Sequence, residues 1–361
     1  LFAYKKSLML AFQRNDIISN INSALVIIKT IFQVTMISIF KNYYLYVIIN
    51  PVITITENII CNIITNKYYP QYVPRGTISK EIKNGIKKKV YGLMIHRACI
   101  STRNSLDSIF ISAFLGLNMV AIYNNYYYIM TAVKSFLGVI TGSIVSGVGN
   151  SITTESVSKN YNDMNKFNFM YMLIAGWCTI CLLCLYQPFM KLWVGQEYML
   201  DFVCVILFCV YFYTLCMGEI KATYSDAAGL WWESRHRAII ETITNVILNF
   251  VLGKLFGLKG IIIATLISLL VINFLYDSTI IFKHYFKEQK VFDYYKEHIK
   301  YFIVTLFIAI ITFVICSFVS MGDFADLIIK GIICIIVPTV LYFVIYRKNE
   351  YLYDMKDVLL K

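Results

Sequence analysis

The sequence predicts an all-α integral membrane protein, a polytopic helical bundle with about ten transmembrane helices. Hydrophobic residues make up 58% of the 361 residues, and the mean hydropathy is +0.65. Charged residues make up only 15%, whereas about 25% is typical of soluble domains. A water-exposed fold cannot bury this much apolar surface, so most of the chain is expected to face lipid.

Ten apolar runs approach the roughly 20 residues that a helix needs to cross the hydrocarbon core. Lipid offers no hydrogen-bond partner to the backbone, so these runs are expected to form helices, which satisfy their own backbone groups. The predicted spans are 22–40, 43–64, 90–114, 118–141, 167–187, 200–220, 237–256, 259–282, 300–320 and 327–346.

Basic residues concentrate in alternate connections between these runs. One set of connections includes the stretch 80–89 and the group Lys221, Arg235 and Arg237, whereas the opposite set contains only Lys41, Lys191 and Lys259. Because cytoplasmic loops carry an excess of Lys and Arg, this pattern places both ends of the chain in the cytoplasm. It also accounts for the formal net charge of +12 without nucleic-acid binding.

The longest cytoplasmic connection is predicted at 65–89. It contains Pro70 and Pro74, followed by a basic amphipathic stretch at 78–90. Such a stretch could lie on an anionic leaflet and act as a hinge between two lobes. Alternatively, it is a solvated loop that obeys the positive-inside rule.

The third predicted span contains charged side chains, which are costly at membrane depth and usually face a cavity or a partner. His96, Arg103 and Asp107 recur at spacings of seven and four, so they share one helical face. Arg103 and Asp107 could neutralise each other as an i,i+4 pair, which leaves Arg97 unexplained. Alternatively, the two arginines face a wet cleft, where a guanidinium group can clamp a phosphate or diphosphate.

Two acidic residues are candidates for a coupling-ion site. Glu57 lies mid-span after Pro51, whose missing N–H kinks a helix. It could bind a cation, accept hydrogen bonds from sugar hydroxyls or pair with Lys29. Asp226 is the second candidate. An acidic residue at this depth is typical of a cavity that binds cations.

A tyrosine-rich segment begins the fourth predicted span. Its amide and aromatic groups could form an interfacial aromatic belt. They could equally bind a carbohydrate, which requires flat apolar faces beside amide hydrogen bonds. The candidate residues are Tyr123, Asn124, Asn125 and Tyr127.

The sequence gives no indication of enzyme or cofactor chemistry. No Walker loop, dinucleotide-binding fingerprint or sugar-nucleotide DxD pattern is present. All ten cysteines lie in apolar runs, so we expect apolar packing rather than disulfides. Cys178, Cys181 and Cys184 have the two-residue spacing of iron–sulfur ligands, but no fourth ligand is nearby in the sequence.

Several stretches resemble the Wzx-type polysaccharide flippases of the multidrug/oligosaccharidyl-lipid/polysaccharide exporter superfamily. Residues 107–117 (DSIFISAFLGL) and 120–128 (VAIYNNYYY) are similar to the signature Asp…Ile-Ser…Gly…Tyr-Ser/Asn-x-Tyr of that family. Further similar stretches are 149–152 with Glu155, 188–195 (PFMKLWVG), and 241–249 with 257–260 and Thr265, which match a late helical hairpin.

The resemblance implies a domain organisation. Family members have about fourteen spans, in two six-helix lobes followed by two extra helices. Residues 1–64 would then be the end of the first lobe, 65–89 the linker, 90–282 the second lobe and 283–361 the two extra spans with a cytoplasmic tail. The first four spans would be missing, and we expect such a fragment, with a half-open cavity, to be inactive.

The resemblance also implies a function. The chain is expected to be a transporter, not an enzyme, that flips an undecaprenyl-type lipid-linked oligosaccharide across the bacterial cytoplasmic membrane by alternating access. Membrane lipid and other polysaccharide assembly proteins are the expected partners. Arg97 and Arg103, with Asp107 beside them, would meet the diphosphate. A cation-coupled multidrug exporter of the same superfamily is the main alternative. A membrane glycan polymerase or ligase is a weaker one because the opposite-side loops are short.

Overall fold

The computed structural model of the chain describes residues 4–72 and 76–352, apart from the side chain of Asn104. Pro74 and the tail from residue 353 onward lie outside the described residues. No strand occurs in the described ranges, and the predicted all-α polytopic membrane fold is confirmed. The α-helices are α1 (Tyr4–Ala11), α2 (Asn15–Ser38), α3 (Tyr43–Tyr68), α4 (Lys80–Leu115), α5 (Leu117–Thr154), α6 (Val157–Trp193), α7 (Phe202–Met217), α8 (Glu219–Ala227), α9 (Arg235–Ile267), α10 (Asp277–His284), α11 (Val291–Ser317) and α12 (Asp323–Tyr346).

Among the described residues, eight helical segments are long and apolar enough to cross a membrane. Two of the ten predicted runs, 237–256 and 259–282, fall within one of these segments, Arg235–His284. The predicted run 90–114 belongs to α4, which begins at Lys80. Helix α4 is not among the eight segments, which follows from its charged residues. The basic stretch at 80–89 therefore forms the first turns of a long helix.

The chain divides into two compact units. The first contains residues 1–80 and 143–150, and the second contains 81–142 and 151–361. In the first unit, α1 packs along α3. The Lys6 Nζ lies 2.6 Å from the Glu57 Oε1, and the Phe12 ring stacks on the Tyr69 ring with centroids 4.4 Å apart. Outside these contacts, most apolar side chains of α2 and α3 are exposed, as expected for lipid-facing helices.

The second unit contains most of the buried side chains, many of which lie on α6, α7 and α9. Helix α6 packs against α7, α11 and α12. Its Trp177 indole donates a hydrogen bond of 2.9 Å to the Cys334 carbonyl oxygen on α12. Helix α12 is therefore joined to α6 by both apolar packing and a directed hydrogen bond.

Helix α9 reverses direction at Gly257, whose φ of 58° and ψ of −134° interrupt the helix. The Asn245 Nδ2 donates to the Thr265 Oγ1 at 3.1 Å, although 20 residues separate them. A continuous helix would place them about 30 Å apart. At Gly260 a Cβ atom would collide with the Leu252 carbonyl, so the two arms approach closely there. The structure thus confirms the predicted late hairpin.

Candidate functional site

Ionic side chains of four helices meet inside the second unit. The Arg103 guanidinium of α4 pairs with the Glu241 carboxylate of α9. The Glu241 Oε2 also lies 2.5 Å from the Arg237 Nη1, one helical turn away. The Arg237 Nε donates to the Asp277 Oδ1 at 3.1 Å, and the Lys221 Nζ of α8 lies 2.6 Å from the Asp277 Oδ2. We call these five residues the ionic network.

Neutral groups complete the coordination of the ionic network. The Asn273 amide donates to the Glu241 Oε2 at 3.0 Å, and the Lys221 Nζ donates to the Asn273 carbonyl at 3.2 Å. Asn273 lies in the π-helical segment Ser268–Tyr276, whose wider turns are common at functional sites. On the α4 side, the His96 Nε2 contacts the Arg237 Nη2 at 2.8 Å and the Ser234 hydroxyl at 3.2 Å.

The ionic network is buried and carries an excess of positive charge. Its three cations, Arg103, Lys221 and Arg237, face two carboxylates, Glu241 and Asp277. The exposed fractions of the Lys221 and Glu241 side chains are 1% and 5%. Removing such groups from water costs several kcal/mol per ion, and the attraction between them often does no more than offset this cost. A contribution to the stability of the fold therefore does not explain why these charged residues are buried here.

A cavity of about 190 Å³ adjoins the ionic network. Two further acids reach it. The Glu219 carboxylate is paired with the Lys134 Nζ at 2.5 Å, and the Asp226 Oδ1 accepts a hydrogen bond of 2.7 Å from the Trp231 indole. Ligand pockets for drug-sized molecules measure about 300–1,000 Å³. The cavity in this conformation can therefore hold a phosphate-sized group but not an oligosaccharide.

The predicted helical face of α4 is confirmed, but the pairing of Arg103 with Asp107, one of the two alternatives left open by the sequence, is not observed. His96, Arg103 and Asp107 all contact α9 or the following segment. Arg103 pairs with Glu241 rather than with Asp107. The Asp107 carboxylate instead accepts hydrogen bonds from three neutral donors: Asn249 at 3.0 Å, Thr265 at 2.9 Å and Tyr123 at 3.1 Å. We call Asp107 and its three donors the carboxylate cluster.

The tyrosine-rich segment is divided between the interior and the surface. Tyr123 is 2% exposed, and its hydroxyl belongs to the carboxylate cluster, so it does not offer a free face to a sugar. Its ring stacks on the half-buried Tyr127, with centroids 5.8 Å apart. Asn124 is exposed and accepts a hydrogen bond of 3.4 Å from the Ser108 hydroxyl, whereas Asn125 is half-buried.

Arg97 lies outside the ionic network. Its side chain is exposed, and its charge acts on Asp226 and His96. Of the two coupling-ion candidates, Asp226 lines the cavity. Glu57 belongs to the first unit, where its partner is Lys6 and not Lys29, the partner considered from the sequence. The alternative of Lys29 fails because α1, which supplies Lys6, packs along α3.

The sequence predicts loop positions for two members of the ionic network, and this prediction is wrong. The charge pattern assigns Lys221 and Arg237 to basic loops, but both are buried. Asp277 was not singled out, although it lies inside the predicted span 259–282, and a charge in an apolar run was the signal that could have found it. The partnership between α4 and α9 had no such signal, because it joins residues far apart in the chain.

Fold and site together define a polytopic all-α membrane protein with a buried ionic network beside a small cavity. Comparison with family models, with curated proteins and with solved structures gives no match for this chain.

Proposed function

We propose that this chain is part of a Wzx-type flippase that moves a lipid-linked oligosaccharide across the bacterial cytoplasmic membrane by alternating access. The observation that carries the proposal is the ionic network, in which Arg103, Arg237 and Lys221 surround a cavity between apolar helices. A charge at membrane depth costs about 2.5–3.5 kcal/mol on insertion scales and is typical of a substrate pathway.

The chemistry of the ionic network suits a diphosphate. Guanidinium groups bind phosphate oxygens in a bidentate manner, and a diphosphate can replace the two carboxylates that hold Arg103 and Arg237. In the described conformation Glu241 and Asp277 occupy these positions. Substrate binding would then exchange protein carboxylates for substrate oxygens. Arg97, exposed near Asp226, would make the first contact with the headgroup.

Alternating access would couple this exchange of carboxylates for phosphate oxygens to movement of the substrate across the membrane. The carboxylate–arginine pairs stabilise a state with a small cavity, and a bound diphosphate would stabilise a state in which the pairs are broken and the cavity is wider. A ligand shifts such an equilibrium only by its differential affinity for the two states. The proposed topology has both chain ends and the basic stretch 80–89 on the cytoplasmic side, where the lipid-linked substrate is assembled.

Reconstitution tests this proposal directly. The full-length protein that contains this chain is incorporated into vesicles with an undecaprenyl-diphosphate glycan that carries a fluorescent label on the sugar, and an impermeant quencher reports how much label has changed leaflet. We expect Arg103→Ala and Arg97→Ala to abolish movement, whereas Arg347→Ala, which removes an exposed arginine after α12, should leave it unchanged. Movement at the wild-type rate in both test variants would refute the diphosphate assignment.

A cation-coupled multidrug exporter is the second candidate, favoured by the acids that line the cavity, Glu219, Asp226 and Asp277. The same vesicles distinguish the two functions. Uptake of a lipophilic cation that depends on Asp226, without movement of the glycan lipid, would support the exporter.

A further inference from the structure

Three cysteine thiols from three helices meet in the core of the second unit, away from the ionic network, and a fourth lies beside them. The sulfur atoms of Cys184 on α6, Cys316 on α11 and Cys334 on α12 all lie within 4.8 Å of one another. The three residues are 5%, 3% and 0% exposed. Cys181, one turn before Cys184, interacts with Cys334 but is outside the group of three thiols whose sulfur atoms lie within 4.8 Å of one another. We call these four residues the thiol cluster.

Apolar packing explains a single buried cysteine but not this convergence. Other thiols are equally buried without joining such a group, including Cys204 and Cys209 on α7. Cys184 and Cys316 are joined only through folding, since α6 and α11 are separated by four intervening helices. Sulfur atoms that meet from separate helices are the arrangement that thiolate metal sites require.

We propose that the thiol cluster binds one thiophilic d10 metal ion, Zn²⁺ or Cu⁺, through Cys184, Cys316 and Cys334, with Cys181 as a fourth ligand. Soft thiolate ligands select these ions. Metal–sulfur bonds of about 2.3 Å set sulfur separations of about 3.8 Å in a tetrahedral site. Sulfur atoms that lie within 4.8 Å of one another therefore need to move together by only about 1 Å.

Charge balance in the apolar core limits how many thiols ionise. Each thiol that binds as thiolate exchanges its S–H bond for a metal–sulfur bond and releases a proton to the solvent. Zn²⁺ with three thiolates and a neutral Cys181 carries a net charge of −1. Lys330, one turn before Cys334 on α12, is half-buried and its charge acts on Cys316. Its contact with Asp326 is long, at 3.8 Å. The positive charge of Lys330 can therefore offset the negative charge of the metal–thiolate complex.

Cys181 lies between the three buried thiols and an apolar cavity. It lines an apolar cavity of about 680 Å³, together with Trp177 and Cys178 of α6 and Gly331 of α12. The proposed metal site is independent of the transport function proposed above.

Direct binding tests the proposal. The full chain is purified in detergent, reduced and freed of metal without exposure to air. It is then titrated with Zn²⁺ or Cu⁺ in competition with a chromophoric chelator. We expect one ion per chain, bound only by sulfur in X-ray absorption spectra. Saturation with Zn²⁺ alone identifies a zinc site and saturation with Cu⁺ alone a copper site. Failure of both ions to bind stoichiometrically, or nitrogen and oxygen ligands in the spectra, would overturn the proposal.

Variants locate the ion. Cys184→Ala with Cys316→Ala should weaken binding by more than the roughly 10- to 100-fold that loss of an outer-shell partner costs. The matched control, Cys204→Ala with Cys209→Ala, removes two buried thiols of α7 and should leave the affinity unchanged. Equal affinity in the test variant refutes the assignment. If the double variant does not elute as a monodisperse species, Cys316→Ala alone, at the end of α11, replaces it.

Discussion

Arg103 of α4 forms an ion pair with Glu241 of α9, 138 residues further along the chain, and not with Asp107, one helical turn away. The reason is that Asp107 already accepts hydrogen bonds from three neutral donors, whereas Glu241 has two guanidinium partners. Helix α4 is therefore attached to the hairpin of α9 by two adjacent sets of polar contacts: the ion pair at Glu241, and the hydrogen bonds that Asp107 accepts from Asn249 and Thr265.

Replacement of Glu241 should destabilise the second unit. Glu241→Gln leaves the guanidinium groups of Arg103 and Arg237 without a shared carboxylate, and breaking a buried pair typically costs about 3–5 kcal/mol. The melting temperature of the purified protein in detergent should fall clearly. The matched control is Glu288→Gln, at an exposed position after α10. Identical melting temperatures for the two variants would show that the Glu241 pairs do not stabilise the fold.

The hairpin of α9 should depend on the absence of a side chain at residue 260. A Cβ there would meet the Leu252 carbonyl, and backbone atoms cannot move aside cheaply. Gly260→Ala should therefore lower the melting temperature. The control is Gly138→Ala in α5, where a Cβ meets no atom within 4 Å and the change should stabilise the helix by about 0.5–1 kcal/mol. Equal effects of both changes would contradict the close approach of the two arms.

Local patterns in the sequence predict the parts of this structure that depend on short stretches of chain. The apolar runs locate the helices because hydropathy is a local property, and the spacing of His96, Arg103 and Asp107 predicts one helical face because the helical period is fixed. The separate apolar runs 237–256 and 259–282 predict a reversal between them, which is where Gly257 interrupts the helix.

Contacts between distant segments could not be predicted in the same way. The basic residues Lys221 and Arg237 look like loop residues because they flank apolar runs, and only the fold shows that both pair with Asp277. Likewise, no further ligand lies near Cys181 and Cys184 in the sequence. Folding brings Cys316 and Cys334 to them from two other helices.

Within the first unit, Glu57 should depend on Lys6 and not on Lys29. The Lys6–Glu57 pair is 26% and 20% exposed, so its contribution is expected near the upper end of the range for solvent-accessible pairs, about 1 kcal/mol. Lys6→Met should lower the melting temperature, and Glu57→Gln should add little to it in the double variant. Lys29→Met is the matched control in α2. A larger loss from Lys29→Met than from Lys6→Met would contradict the observed pairing.

Asp201 should make stability depend on pH through a contact at the tip of the hairpin. Burial favours the neutral carboxyl, but the hydrogen bonds from the Lys259 Nζ, at 2.8 Å, and from the Cys204 N–H, at 2.8 Å, outweigh it and hold the pKa of Asp201 below its ordinary value. A carboxylate with a lowered pKa in the folded state stabilises the protein above its unfolded pKa of about 3.9. This stabilisation is lost as the pH falls through the lower, folded pKa.

The substitution Asp201→Asn isolates this charge, since asparagine also caps a helix N-terminus well and α7 begins at Phe202. At pH 6 the melting temperature of the wild type should exceed that of Asp201→Asn, and the difference should shrink as the pH falls below about 4. Because Asp201 is half-exposed, the difference should be small and should decrease in high salt. A difference that stays constant between pH 6 and pH 3 would mean that the carboxylate of Asp201 gains nothing from Lys259, and that the tip of the hairpin is held by packing alone.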